Sequence, residues 1–221
     1  MRIIFEFSKL GRLRFISHLD LQRFMQRALR RARLPVSFSQ GFNPHPQISF
    51  ASALAMGHTS ECELLDVKLA EPVNLMSAMK QFASALPPEM PLNAARLVDD
   101  SHPSLSSMLK CADYRIEFPD SDIEKISEAA EAFMAEQSVI AMRKTKSGEK
   151  PADIRAMTLS LDREGSALRA RLMLTEAATL KPDLLIAVLS ERADITPADV
   201  RIHRTALLGE RGSYMIKLID M

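Results

Sequence analysis

The sequence predicts an α+β protein made of two tandem ferredoxin-like sandwiches, each with the element order β-α-β-β-α-β. Three observations lead to this class. An alternating apolar segment opens each half, amphipathic helices separate the extended segments, and a stretch containing serine and proline divides the halves at residues 99–110. The predicted domains are residues 1–100 and 111–221, and a single merged domain is the alternative. Units of about 100 residues are of ordinary domain size.

The chain opens with a predicted strand over residues 2–8, in which Ile3, Phe5 and Phe7 share one face. Gly11 interrupts this pattern, and residues 12–15 are expected to continue as extended chain because arginines alternate with apolar residues there.

A helix follows, and local signals mark both of its ends. Ser17 and Asp20 have the spacing of a capping box, and Pro35 bounds the helix on the other side. At 100° per residue the apolar residues form one stripe: Leu21, Phe24, Met25, Ala28 and Ala32. The opposite side carries four arginines: Arg23, Arg27, Arg30 and Arg31.

The remaining elements of the first half are a short strand, a loop, two extended segments, a helix and a strand, at residues 36–38, 39–46, 48–54, 61–69, 73–86 and 92–98. The second half repeats the order with strands at 114–118, 139–143, 157–161, 168–174 and 200–207 and helices at 122–136 and 182–192. A basic loop is predicted at 144–150, and residues 214–219 are expected to add a strand.

Composition places the chain among soluble globular proteins, because 47% of its 221 residues are hydrophobic and 26% are charged. No apolar run approaches the roughly 20 residues of a membrane span, and no signal-peptide core follows the first methionine. We therefore expect a cytoplasmic protein that does not bind membranes. Cys62 and Cys111 are the only cysteines, so the chain lacks the motifs for its own zinc ribbon or iron–sulfur cluster.

The net charge of +1 conceals a strong asymmetry along the chain. Residues 1–50 hold nine lysines and arginines against two acidic residues, whereas residues 51–136 hold six against fifteen. Such an asymmetry favours a polyanionic partner.

The basic residues and a neighbouring loop form the candidate nucleic-acid-binding set. Arg12 and Arg14 precede the four helical arginines, and a guanidinium can bond two phosphate oxygens at once. The loop contributes polar and aromatic side chains for recognition: Ser39, Gln40, Phe42, Asn43 and His45. Phe15, Phe24 and Phe38 are expected to belong to the core. The alternative is a solvated helix face that pairs with the acidic middle of the chain.

Two histidines are candidates for acid/base catalysis. His18 lies at the positive end of the predicted helix dipole, which favours a neutral imidazole, and His45 is held between two prolines. Asp20 beside His18 already has a structural role in the capping box, and two histidines with one carboxylate are a weak metal signal. No P-loop, dinucleotide-binding, serine hydrolase or zincin motif occurs.

A dense run of motifs occupies residues 13–21 (LRFISHLDL), 27–31 (RALRR), 34–46 (LPVSFSQGFNPHP), 48–51, 54–57 and 60–61. These segments resemble a family of uncharacterised bacterial proteins linked to radical S-adenosylmethionine (radical SAM) enzymes. Sparser matches follow at 153–155 (DIR), 181–183 (KPD) and 202–205 (IHRT), with Lys181 where arginine is more usual. Members are encoded beside, or fused to, cobalamin-binding radical SAM proteins, often near genes for ribosomal proteins and ribonucleases.

The resemblance implies a radical SAM partner and an RNA context. It also implies that an iron–sulfur cluster, S-adenosylmethionine and cobalamin belong to the partner, with no cofactor on this chain. The first expectation is thus a non-catalytic accessory protein that binds RNA or a ribonucleoprotein and acts in RNA modification or processing. Two alternatives are an enzyme that cleaves or modifies RNA with His18 or His45, and an adaptor that contacts only the radical SAM partner.

Overall fold

A computed structural model of the protein describes residues 1–145, 148–196 and 198–221. Over these residues the chain forms eleven strands, five α-helices and two 3-10 helices, the latter at Gly11–Phe15 and Leu218–Asp220. The strands are β1 Arg2–Lys9, β2 Ile48–Phe50, β3 Thr59–Lys68, β4 Leu92–Val98, β5 Leu109–Glu117, β6 Ile140–Thr145, β7 Gly148–Asp153, β8 Thr158–Glu164, β9 Ala167–Met173, β10 Arg201–Arg211 and β11 Tyr214–Lys217. The helices are α1 His18–Arg31, α2 Leu75–Ser84, α3 Leu105–Met108, α4 Ile123–Ala135 and α5 Pro182–Arg192.

Nine of the eleven described strands belong to one sheet, so the prediction of two tandem ferredoxin-like sandwiches is wrong. The hydrogen-bonded order is β4-β1-β3-β10-β5-β9-β8, with β2 beside β3 and β11 beside β10, while β6 and β7 form a separate pair. The α+β class itself is correct. The length of β10 explains the difference: the pattern predicted a strand that ends at residue 207, but the strand continues to Arg211. A strand of this length offers two long edges for hydrogen bonding, and pairing both edges leaves fewer backbone groups exposed.

By the density of its internal contacts the chain divides into two compact units. One comprises Met1–Leu109 with Gly209–Met221, and the other comprises Lys110–Leu208.

In the first unit β1 is a central strand, with β3 and β4 paired antiparallel on its two sides. Phe5 lies in the core between the sheet and helices α1 and α2, and its ring centroid is 4.7 Å from that of Phe82. The sequence predicted a strand with only one buried face, but Ile4 and Ser8, whose side chains point to the other face, are buried as well. Alternation of residue type therefore identified the strand and one of its two buried faces.

The segment between β1 and α1 differs from its prediction. Residues 11–15 form a 3-10 helix instead of extended chain. Gly11 has a φ of 54°, a left-handed conformation that glycine adopts readily and that turns the chain out of the strand. The alternation of arginine and apolar residues there is therefore not a sign of a strand.

In the second unit β5, β9 and β8 pair antiparallel, and β6 and β7 form a hairpin. The basic loop predicted at 144–150 falls partly in this hairpin, and residues 146 and 147 lie outside the described residues. Cys62 in the first unit and Cys111 in the second are both buried free thiols. None of the helices in the described residues is long and apolar enough to cross a membrane.

Asp153 organises the end of the β6–β7 hairpin. Its Oδ1 accepts hydrogen bonds from the backbone N–H groups of Val139 at 3.0 Å, Arg155 at 3.1 Å and Ala156 at 3.4 Å. The Arg155 guanidinium in turn donates to the carbonyl oxygens of Met134 and Thr158. Asp153 and Arg155 of the DIR segment therefore have structural roles that their side-chain contacts explain.

We expect Asp153→Asn to lower the melting temperature at pH 7 by a few degrees. The backbone N–H groups, that of Val139 first, lower the pKa of Asp153 below its usual value. Because the folded-state pKa is the lower one, this stabilisation is present above the unfolded pKa of about 3.9 and is lost as the pH falls through the folded-state pKa. Thermal melts between pH 3 and 7 test this. The difference should shrink in acid, and a pH-independent difference would contradict the assignment. The control is Asp162→Asn, because Asp162 is exposed and makes no side-chain hydrogen bond within the described residues.

Candidate nucleic-acid interface

Helix α1 carries four of the six predicted phosphate-binding arginines, and its capping agrees with the prediction. The Ser17 Oγ accepts a hydrogen bond from the Asp20 backbone N–H at 3.1 Å and donates to Asp20 Oδ2 at 2.7 Å. The stripe of Leu21, Met25 and Ala28 is buried against the sheet. The four arginines consequently face outward and are exposed: Arg23, Arg27, Arg30 and Arg31.

These four arginines differ in how far other groups already engage them. Arg23 lies 3.6 Å from Asp20, and Arg31 donates a hydrogen bond to the Ala85 carbonyl at 2.8 Å. In the part of the chain that the structure describes, Arg27 and Arg30 make no ion pair or side-chain hydrogen bond. These two are therefore the guanidinium groups most available to an external anion.

Arg12 and Arg14 lie in the 3-10 helix before α1 and are also exposed. Arg12 is 3.6 Å from the Glu89 carboxylate, and the Arg14 guanidinium lies over the Phe15 ring at 4.6 Å. Both arginines thus have an intramolecular partner that a phosphate would have to share or replace.

The predicted recognition loop has the form of a short hairpin. Phe38 and Pro46 form an isolated β-bridge, the Ser39 backbone N–H donates to the His45 carbonyl at 2.9 Å, and the His45 N–H donates to Ser39 Oγ at 3.0 Å. Ser39 therefore closes the loop and is only partly exposed. The side chains of the remaining members, Gln40, Phe42, Asn43 and His45, are exposed, and the Phe42 ring is fully so.

The loop and the C-terminal end of α1 leave the sheet at the same end. The Ala70 backbone N–H donates to the Pro35 carbonyl at 2.7 Å, and the Ser37 N–H donates to the Lys68 carbonyl at 2.8 Å. Residues 32–35 thus connect the last turn of α1 to the end of β3, where the loop begins. The structure brings Arg30 and Arg31 to the same end as the recognition loop.

The two candidate catalytic histidines lie apart. His18 begins α1, about 20 Å along the helix from its last residue, whereas His45 lies in the loop beyond the C-terminal end of that helix. The His18 ring packs edge-on against Phe50 at 5.1 Å between centroids, and its Nδ1 is buried with no hydrogen-bond partner among the described residues. The neighbouring Asp20 accepts a hydrogen bond from Ser17, so Nδ1 does not form the histidine–carboxylate hydrogen bond that orients an acid/base pair.

Burial raises the pKa of Cys111 to about 11, so this thiol is protonated at neutral pH. Within the described ranges, no three His, Cys, Asp or Glu side chains are grouped so that they could hold a metal ion.

Sequence reasoning misplaced two aromatic residues and missed the burial of two cations, Lys9 and Arg204. Phe15 and Phe38 were expected in the core but are exposed, whereas Phe24 is half-buried against it. Lys9 is almost fully buried, and its Nζ donates to the Ile16 carbonyl at 3.2 Å, directly before the cap of α1. Its position at the end of a strand pattern gave no signal of this burial.

Comparison with known proteins identifies a bacterial family to which the chain is similar. No curated protein matches the chain significantly. A family model described as an uncharacterised protein conserved in bacteria (DUF2344) matches residues 2–182, which include α1, the recognition loop and both compact units in part. The chain belongs to this bacterial family.

Proposed function

We propose that this protein binds RNA, or an RNA-containing assembly, through the outward face of α1 and the loop at residues 39–45. In this role it is a non-catalytic accessory protein. Two arginines without an ion pair or side-chain hydrogen bond among the described residues, Arg27 and Arg30, combine with the fully exposed ring of Phe42 near the same end of the sheet, and this combination carries the proposal.

Each part of this combination suits a nucleic acid. Exposed arginines on successive helical turns match a chain of phosphates, and their guanidinium groups need not break an internal ion pair first. A fully exposed phenylalanine contributes nothing to the core, but its face can stack on an unpaired base, which is typically worth about 1–3 kcal/mol. The exposed polar side chains of Gln40 and Asn43 can then donate to and accept from base edges.

We further propose that the protein works with a separate radical SAM enzyme in RNA modification or processing. Support comes from the resemblance described above, which is densest in residues 13–61, the segment that contains α1 and the recognition loop. In this scheme the iron–sulfur cluster, S-adenosylmethionine and cobalamin are held by the partner, and this chain binds the substrate.

The alternative of an RNA-cleaving enzyme has less support from the geometry. General acid/base cleavage works best with two titratable groups on opposite sides of one phosphate, but His18 and His45 lie apart and the Nδ1 atom of His18 is buried.

Salt dependence of RNA binding tests the phosphate contacts. If the six arginines each neutralise one phosphate of a single strand, a plot of log affinity against log salt concentration should have a slope of about −4. Fluorescence anisotropy with a short labelled single-stranded RNA measures this slope. Absence of binding at low salt, or a slope near zero, would contradict the proposal.

The partner is tested separately by affinity purification of the tagged full chain from its bacterial host, followed by sequencing of RNA and mass spectrometry of protein. We expect both RNA and a radical SAM protein. Recovery of the enzyme after complete nuclease digestion would favour direct contact, whereas its absence from every preparation would contradict the partnership.

A further inference from the structure

Three large apolar side chains are exposed together where α1 begins. Phe15 is 58% exposed, Leu19 54% and Met56 62%. The Gly57 backbone N–H donates to the Arg14 carbonyl at 2.8 Å, which holds the turn of Met56 against the residue preceding Phe15. We call these three residues the apolar patch.

Folding does not account for this exposure. The neighbours of the patch in sequence already supply the local core contacts: Leu13 and Ile16 pack against the main core and Leu54 is buried. A single exposed apolar residue is ordinary, but several large ones exposed in one region of the surface mark an interaction site.

The composition of the patch favours a protein over RNA as its ligand. The Arg14 guanidinium covers one face of the Phe15 ring at 4.6 Å, and the other two members have no aromatic face on which a base could stack. Phenylalanine, methionine and arginine are enriched at protein interfaces, and methionine adapts its shape to a partner side chain.

The charges around the patch define the partner further. Three arginines lie close to the patch along the chain: Arg12 and Arg14 precede Phe15, and Arg23 follows Leu19 by one helical turn. Arg12 is 3.6 Å from the Glu89 carboxylate, and Arg23 is 3.6 Å from that of Asp20. Asp20 is also bonded to the Ser17 hydroxyl. Three cations against two engaged carboxylates leave a positive border, which favours acidic groups on the partner.

We propose that the apolar patch docks an acidic segment of a partner protein that carries two or three large apolar side chains. The apolar side chains bury Phe15, Leu19 and Met56, and the flanking carboxylates approach Arg12, Arg14 and Arg23. Leu19 lies one helical turn before Arg23, so this site adjoins the proposed RNA surface and shares Arg12, Arg14 and Arg23 with it, but it does not include Arg27, Arg30 or the loop. It does not depend on RNA binding.

Two designed peptides test the proposal on the full-length protein. Both have leucines at helical spacing, but the polar positions hold glutamate in one and lysine in the other. Methyl NMR of methionine-labelled protein reports on Met56, and Met76 is the control because it is 71% exposed on α2. We expect the glutamate peptide to shift the Met56 methyl signal and leave the Met76 signal unchanged. Phe15→Ser/Leu19→Ser should weaken its affinity at least about tenfold, an effect typical of central interface residues, and Met76→Ser should not.

The proposal would be overturned if the lysine peptide bound as well as the glutamate peptide or if neither peptide bound. It would also be overturned if a short single-stranded RNA, and not the glutamate peptide, shifted the Met56 signal. RNA affinity of the Phe15→Ser/Leu19→Ser variant is measured in parallel. Its retention together with loss of peptide binding separates this site from the proposed RNA surface, and its loss would contradict the separation.

Discussion

Replacement of Arg27 and Arg30 together by glutamate is expected to weaken binding to single-stranded RNA on the order of a hundredfold. The two changes remove two phosphate contacts and place two negative charges beside the strand. With four arginines left, the slope of log affinity against log salt should change from about −4 to about −3. Glutamate is a good helix former and both positions are exposed, so α1 should remain folded.

The control for this experiment must change the net charge equally. Lys125→Glu/Arg201→Glu does so at exposed positions outside the proposed surface. We expect its RNA affinity to stay within a few-fold of the unmodified protein. If both double variants lost affinity to the same extent, binding would depend on overall charge and the outward face of α1 would have no special role.

Local signals in the sequence were sufficient to predict α1. Ser17 and Asp20 fix its start, Pro35 limits its end, and the helical period separates the buried Leu21 and Met25 from the exposed arginines. All of these interactions lie within one or two helical turns, so they can be deduced without knowledge of the rest of the fold.

Non-local interactions account for what could not be predicted. The extent and partners of β10 depend on strands far away in sequence, and no pattern within residues 200–207 indicates them. Lys9 is buried where its Nζ donates to the carbonyl of Ile16, seven residues along the chain, and Phe15 is exposed because the chain turns at Gly11 into a 3-10 helix. Residue type predicted correctly which face of α1 is exposed, but the exposure of single aromatic residues depended on the path of the chain.

The second large effect is expected at the ion pair between Arg2 on β1 and Asp66 on β3. Arg2 Nε and Nη2 donate to the two carboxylate oxygens of Asp66 at 3.1 and 2.7 Å, and Arg2 Nη1 donates to the His102 carbonyl at 2.7 Å. The side chains are only 15% and 8% exposed. Removal of one partner leaves the other charge largely buried, so Arg2→Met and Asp66→Leu should each lower the free energy of unfolding by about 3 kcal/mol.

Replacement of both partners together should lower the free energy of unfolding much less than either single replacement. Burial raises the pKa of Asp66 above its usual value, and the hydrogen bonds and charge of Arg2 offset this only in part. Because the folded-state pKa is the higher one, the corresponding stabilisation is present below the unfolded pKa and is lost as the pH rises through the folded-state pKa. At neutral pH, desolvation thus cancels much of the attraction. The double variant Arg2→Met/Asp66→Leu should lie within about 1 kcal/mol of the unmodified protein.

A double-mutant cycle by urea denaturation at pH 7 measures these differences in the free energy of unfolding. Repeating the cycle at lower pH, down to about pH 4, tests the direction in which Asp66 makes stability depend on pH. The unmodified protein should gain stability relative to the double variant as the pH falls, because protonation of Asp66 removes its desolvation cost. Single variants no less stable than the double variant would show that the two charges do not stabilise each other. A relative gain with rising pH would instead mean that Arg2 more than compensates the burial of Asp66, so that the ion pair itself stabilises the fold.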